Sequence, residues 1–357
     1  MRMLGNATMI MMIKHYRSTA SMMDSICATG GFQCSVKSDH VYALLSLPRL
    51  GSDVEPDYNL TVKDVYMEFT KRALTVEKDL KILALAPHTA LPPWSGPLNR
   101  LDLPSWVPDL SNQGFVNHLV SYTIRPQLFN AGGSETSPIS ITNGGRSLNL
   151  RGRIVDSVKA LARSFNDIPI PSEAEIEPKR GYPARIKMWI KNWLQENSAL
   201  ASGGGDWSGL PQARKRDFAR TMMCGMTGMR DAIPEDVVDN FEVYVNYLID
   251  YFKPGYQLTE EVRETMLTYG SLIEHPLMAM SANRRFCVTE DGRFGMVRRE
   301  AEDGDLFCVI LGAEVPYVVR PTGRGSYELI GDCYLHDVMN GEALLDSRYE
   351  TVDIVLE

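Results

Sequence analysis

The side chains best suited to chemistry in this chain of 357 residues are few and scattered. Cys333 and His336 form a C-x-x-H pair, Asp109 follows Pro108 two residues ahead of Ser111, and Glu342 follows Gly341. An imidazole at a strand end either donates a proton or orients a loop. A carboxylate placed like Asp109 accepts backbone N–H bonds in a turn, or acts as an acid if it faces a pocket. Glu342 has the same two readings, a cap on a backbone turn or an acid facing a pocket. Zinc asks for three or four ligands, and no second Cys/His cluster joins Cys333 and His336, so no metal is expected.

The chain also lacks G-x-S-x-G, H-E-x-x-H, a Walker A loop, and any G-x-G-x-x-G after a strand. Gly203-Gly204-Gly205 has no following Lys-Ser/Thr and reads as a linker. No cofactor is expected. Trp106 and Trp94 fall in a proline-rich stretch, where an indole serves as a packing anchor or as a platform for a ligand.

Composition narrows the class. With 44% hydrophobic and 23% charged residues, the sequence is that of an ordinary globular protein. A chain of this size buries roughly three quarters of its unfolded surface and needs no disulfide or metal staples. The net charge of −8 argues against nucleic acid, and Arg214-Lys215-Arg216 and Arg298-Arg299 are each followed by an acid. The six cysteines show no C-x-x-C and read as reduced and buried. The apolar run Met1–Ile13 is closed by Lys14, His15 and Arg17, too short for a membrane span or a secretory signal, so a cytoplasmic location is expected. Met9, Met11, Met12, Met22, Met23, Met222, Met223, Met226 and Met229 fill core gaps or line an adaptable apolar pocket.

The periodicity says what positions these groups. Val62, Val65, Tyr66, Phe69 and Ala73 share one helical face, with Thr61 as N-cap. Six prolines between Pro87 and Pro108 exclude regular structure there. Ile139 and Ile141 alternate with polar residues up to the turn Asn143-Gly144-Gly145, and Leu148 and Leu150 resume the alternation as a β-hairpin. Helices fit 184–197, 212–229, 235–252 and 259–274. Strands return at 286–289 and 294–297 around Asp291-Gly292, then at 306–311, 315–320 and 327–335.

The expected fold is α+β, an antiparallel sheet or barrel built from two separated strand blocks, 139–158 and 285–340, packed with helices. Residues 1–357 are expected to form a single domain. Its parts are a helical and Pro/Trp-rich region over 1–130, β structure at 139–158 and 285–345, and a mostly helical insertion over 160–282 with a flexible loop near 202–206.

Several segments resemble the conserved portion that follows the named domain in fungal heterokaryon-incompatibility (HET) proteins. Asp39-His40-Val41-Tyr42-Ala43-Leu44-Leu45-Ser46-Leu47 is similar to that family's D-R/K-V-Y-A-L-L-G-L, and Pro56-Asp57-Tyr58 to its P-D-Y. Leu103-Pro104-Ser105-Trp106-Val107-Pro108-Asp109-Leu110-Ser111 resembles L-P-S-W-V-P-D-W-S, and Gly331–Leu344 resembles the closing G-x-x-Y-x-H-x-x-M-x-G-E-A. Ser46 and Leu110 depart from the family's usual Gly and Trp. The family's amino-terminal, TIR-like domain would lie before residue 1, so its death output is carried over to no residue here.

The functional expectation is a cofactor-independent cyclase of fungal secondary metabolism, closing a ring in a hydrophobic terpenoid or polyketide held in an apolar cavity. Such a reaction asks for shape and one polarising donor. Its catalytic residues would be His336, Asp109 and Glu342, and Trp106, Tyr58 and Met339 would bind substrate. The partner is then a hydrophobic small molecule, with no nucleic acid and no membrane span. The alternative is a non-enzymatic HET-related recognition or regulatory module in self/non-self incompatibility.

Overall fold

The computed structural model describes residues 34–45, 54–86, 101–112, 118–120, 127–176, 181–205, 207–227, 231–281 and 283–357, with isolated positions before residue 34. Trp94, Ser46, Met9, Met12, Met22, Met23 and Met229 lie outside them.

In chain order the described elements begin with α1 (Asp39–Tyr42), α2 (Val62–Thr75), β1 (Ser140–Thr142) and β2 (Ser147–Leu161). Four helices follow, α3 (Tyr182–Ala201), α4 (Gln212–Met222), α5 (Glu235–Tyr251) and α6 (Glu260–Ser281). The chain then returns to strands in β3 (Arg284–Thr289), β4 (Phe294–Arg298), β5 (Leu306–Ile310), β6 (Tyr317–Pro321), β7 (Tyr327–Asp332) and β8 (Tyr334–Leu335). It ends with α7 (Glu342–Leu345) and β9 (Val352–Leu356). Short 3₁₀ turns include Leu80–Ala84 and Leu110–Asn112.

The architecture is α+β, as expected. The described strands form one sheet in the order β5-β6-β7-β9-β2-β3-β4-β8, with β1 against β2. All its pairings with a resolved register are antiparallel except the parallel contact of β7 with β9 at Tyr327 and Leu356. The early strand block therefore does pair with the late one.

Two compact units emerge, one of residues 1–155, 306–332 and 338–357, the other of 156–305 and 333–337. In the first, an additional pairing of β5 with β2 closes β5-β6-β7-β9-β2 into a ring. Gly152 permits this closure: a Cβ there would stand 2.7 Å from the Val309 carbonyl. Leu148, Leu150, Phe307, Val309, Val318 and Ile354 of these strands are all buried. Thr61 caps α2 by accepting the N–H of Asp64, which orients Val65, Tyr66, Phe69 and Ala73 inward.

In the second unit, β3 and β4 form the hairpin announced by Asp291-Gly292, with Gly292 at φ +80°. Phe218 of α4 meets Phe286, Phe294 and Phe241 edge-on. Helix and sheet share this aromatic core. Met222, Met223 and Met226 are buried against it, in line with core filling, whereas Met11 is exposed.

Four elements differ from the periodicity reading. Helix α4 stops at Met222, short of 229, because Cys224 and Gly225 adopt positive φ and unwind the chain. Helix α6 continues through Pro276 to Ser281, past the expected stop at 274, as buried Ile273, Leu277 and Met280 pack on both sides of the proline. The expected strand 327–335 is two strands, broken at Cys333. Strand β9 was not anticipated, although Val352, Ile354 and Leu356 alternate with a polar or half-buried partner.

Candidate functional site: an open cleft and a histidine relay

In the first unit, a cleft of about 620 Å³ opens between two short segments. One wall is Lys78–Lys81, where the chain leaves α2 and enters the 3₁₀ turn. Lys78 adopts left-handed backbone, φ +58°, which turns the chain sharply. Asp79 then caps the turn by accepting the Lys81 N–H at 3.0 Å, and Tyr317 donates its hydroxyl hydrogen to the Leu80 carbonyl at 3.3 Å. The wall is thus pinned to β6.

The opposite wall is formed by Gln127, Leu128, Phe129, Asn130, Gly133 and Ser134. This segment is strapped down by glycines. A Cβ on Gly132 would stand 2.1 Å from the Ile310 carbonyl, and one on Gly133, at φ +68°, would stand 2.7 Å from Leu344. Ala131 and Gly132 donate to the carbonyls of Glu314 and Ala313, and Gly312 donates back to the Gly132 carbonyl. Gly312 and Glu314 complete the cleft.

The closing motif stands directly behind this wall. Asn130 donates its N–H to the Met339 carbonyl at 2.9 Å, and Gly341 comes close to the Asn130 carbonyl with φ +90°. Glu342 accepts the Asn340 N–H at 2.6 Å, so it caps its own turn at the start of α7. Arg153 of β2 donates to the carbonyls of Ala343 and Asp346 and fixes the far end of α7. Met339 and Glu342 position the cleft and do not appear among its lining residues. The sequence reading missed Lys78, Lys81, Gln127 and Asn130, which carry no motif and meet only through the fold.

The other predicted residues of this unit sit at a separate corner. Asp109 accepts both the N–H and the hydroxyl hydrogen of Ser111, at 3.0 and 2.6 Å, the Asx turn expected from its spacing. Helix α1 packs on the Leu110–Asn112 turn. There burial pushes the His40 imidazole below its ordinary pKa, with Asp109 and Asp39 pulling it back up. Tyr66 donates to the Lys37 carbonyl at 2.8 Å. Trp106 is fully buried and donates its indole N–H to the Arg146 carbonyl at 3.0 Å, the geometry of a packing anchor. Tyr58 is exposed, stacks edge-on with Tyr42 and donates to the Asp39 carboxylate at 2.9 Å.

His336 belongs to the second unit. Its Nε2 lies 3.1 Å from Asp217 Oδ1 of α4 and 3.5 Å from Asp337, and its Nδ1 lies 3.4 Å from the Tyr334 hydroxyl. Its backbone N–H donates to the Phe294 carbonyl. Arg214, one turn before Asp217, lays its guanidinium 3.6 Å above the Phe294 ring and donates to the Gly292 carbonyl. The alternation of Tyr334 and His336 in the closing motif therefore serves one relay, Tyr334–His336–Asp217. Asp217 lies 119 positions earlier in the chain and gave no local signal. Of the three residues taken as catalytic, His336 falls in one unit, Asp109 and Glu342 in the other.

Among the described residues, no group of three or more His, Cys, Asp or Glu is arranged to hold a metal ion. No described helix is long and apolar enough to cross a membrane.

Residues 257–355 match the family model of the Het-6 β-barrel domain, which covers α6 through most of β9. Over 340 residues the chain is 26% identical to heterokaryon incompatibility protein 6, OR allele, of Neurospora crassa, a match covering 86% of this chain and 48% of that protein. The chain thus spans about half the length of the curated relative it matches. No solved structure matches the chain.

Proposed function

We propose, from the premise that this chain is a homologue of heterokaryon-incompatibility proteins over most of its length, that it is a recognition module of an incompatibility protein. Its task on this reading is to receive part of another polypeptide in the cleft between Lys78–Lys81 and Gln127–Ser134. The homology carries the reading, since it covers 86% of the chain, and the family-model match over 257–355 includes the closing motif that props the cleft.

The character of the cleft supports the same choice. It is open, and its side chains are mostly ammonium, amide, hydroxyl and carboxylate groups. Ring closure of a hydrophobic substrate asks instead for an enclosed apolar cavity, which excludes water and holds a reactive fold.

The test is a replacement. The matching region of heterokaryon incompatibility protein 6 is exchanged for this chain, and forced heterokaryons are scored for growth. A chimera that still restricts growth supports recognition; one indistinguishable from a simple deletion of the region counts against it.

A further inference from the structure

We infer that the cleft of the first unit binds an extended, acidic segment of a partner polypeptide, an assignment that rests on the recognition reading above. Four observations point to that chemistry.

The Lys78–Lys81 wall offers two ammonium groups, of which that of Lys81 has a carboxylate partner in Asp79. Lys78 is exposed, and among the described residues no carboxylate pairs with its ammonium group. Lys81 has only Asp79 nearby, at 3.8 Å, and Asp79 is already engaged in capping the Lys81 N–H. On this wall two cations stand beside one carboxylate, Asp79, and the other carboxylate that lines the cleft, Glu314, lies on a different segment.

The facing wall offers amides. Gln127 spends its N–H on the Phe129 carbonyl at 2.9 Å, which leaves its side-chain oxygen as an acceptor. Asn130 is exposed, with its backbone N–H committed to Met339, and Ser134 is exposed beside it. Amide and hydroxyl groups on one wall can donate to the C=O and accept from the N–H groups of an extended chain.

The Gly312–Glu314 side carries a half-buried carboxylate, so the ammonium groups of the cleft are confined to the Lys78–Lys81 wall.

A free phosphate group is disfavoured by the same geometry. The Lys81 N–H, in the first turn of the 3₁₀ segment where an anion would be received, is taken by Asp79, and among the described residues no arginine lines the cleft. The opening is also a groove and not an enclosure, which suits a chain passing through.

The test uses the full chain and a short fluorescein-labelled peptide of alternating Glu and Ser, with its Gln isostere and inorganic phosphate as competitors. The expected result is saturable binding of the Glu peptide. It should weaken roughly tenfold in the Gln isostere and again in the Lys78→Glu/Lys81→Glu variant, and phosphate should not compete. Asn130→Ala should weaken binding several-fold with an unchanged melting temperature. Equal binding of the Gln peptide, insensitivity to the charge reversal, displacement by phosphate, or no saturable binding would each overturn the inference. A chimera that restricts growth while the peptide fails removes the acidic-segment assignment alone; a peptide that binds beside an inert chimera removes the recognition reading.

Discussion

The N–H of Asn130 donates to the carbonyl of Met339 across 2.9 Å, and this one bond ties the wall of the open cleft to the closing motif of the chain. The motif residues, picked out in the sequence as candidates for chemistry, act one layer behind the surface they shape. Glycines make the layer thin enough: Gly132, Gly133, Gly312 and Gly341 stand where a side chain would meet backbone or Leu344.

Gly132→Ala should therefore be among the most damaging small substitutions. Its methyl group would press on the Ile310 carbonyl at 2.1 Å and the Ala313 nitrogen at 2.5 Å, neither of which can swing aside. A loss of about 3 kcal/mol or more is expected in urea unfolding. A loss below about 1 kcal/mol would mean the strap is not packed as described.

Trp106 distinguishes a packing anchor from a ligand platform. Trp106→Phe keeps most of the buried ring but forfeits the bond to the Arg146 carbonyl, for about 1 kcal/mol, whereas Trp106→Ala leaves a cavity costing about 3–5 kcal/mol. Chemical denaturation of the two variants gives both numbers. A platform would instead show near-native stability in Trp106→Ala with binding lost.

His40 supplies a pH dependence. Burial lowers its pKa, so the folded chain takes up this proton later than the unfolded chain does as the pH falls. Above the ordinary value of about 6.5 the ring is neutral in both states and contributes nothing to the slope. Below it, stability declines until the lowered folded value is passed. His40→Gln should flatten that part of the stability profile, and Asp109→Asn should lower the His40 midpoint further in an NMR titration. A midpoint at or above 6.5 would contradict the burial of this ring.

Much of this was legible locally. Thr61 as a cap, the Asn143-Gly144-Gly145 and Asp291-Gly292 turns and the Asp109–Ser111 turn all follow from near neighbours in sequence. What was hidden depends on contacts far apart in the chain. Lys78 and Asn130 face one cleft, and Asp217 reaches His336, only because β2, β6 and α4 carry them there. Helix α6 shows the converse, a proline stop overridden by the packing of Ile273, Leu277 and Met280.

Asp217 is expected to hold His336 for the second unit. With the side chains 26% and 13% exposed, Asp217→Ala should cost about 1 kcal/mol, and Asp217→Asn, which keeps an acceptor, less. Thermal unfolding together with the His336 ring shifts in NMR reports both effects. Unchanged His336 shifts in Asp217→Ala would mean the relay does not form.

The most direct measurement of the central claim is growth of forced heterokaryons carrying the chimera with and without Ser134→Trp. Ser134 is exposed on the wall of the cleft, so an indole there fills the groove and leaves the core untouched. The account predicts restricted growth with the native cleft and growth restored by the filled one, at equal protein level. Restriction that persists unchanged with the cleft filled would contradict it.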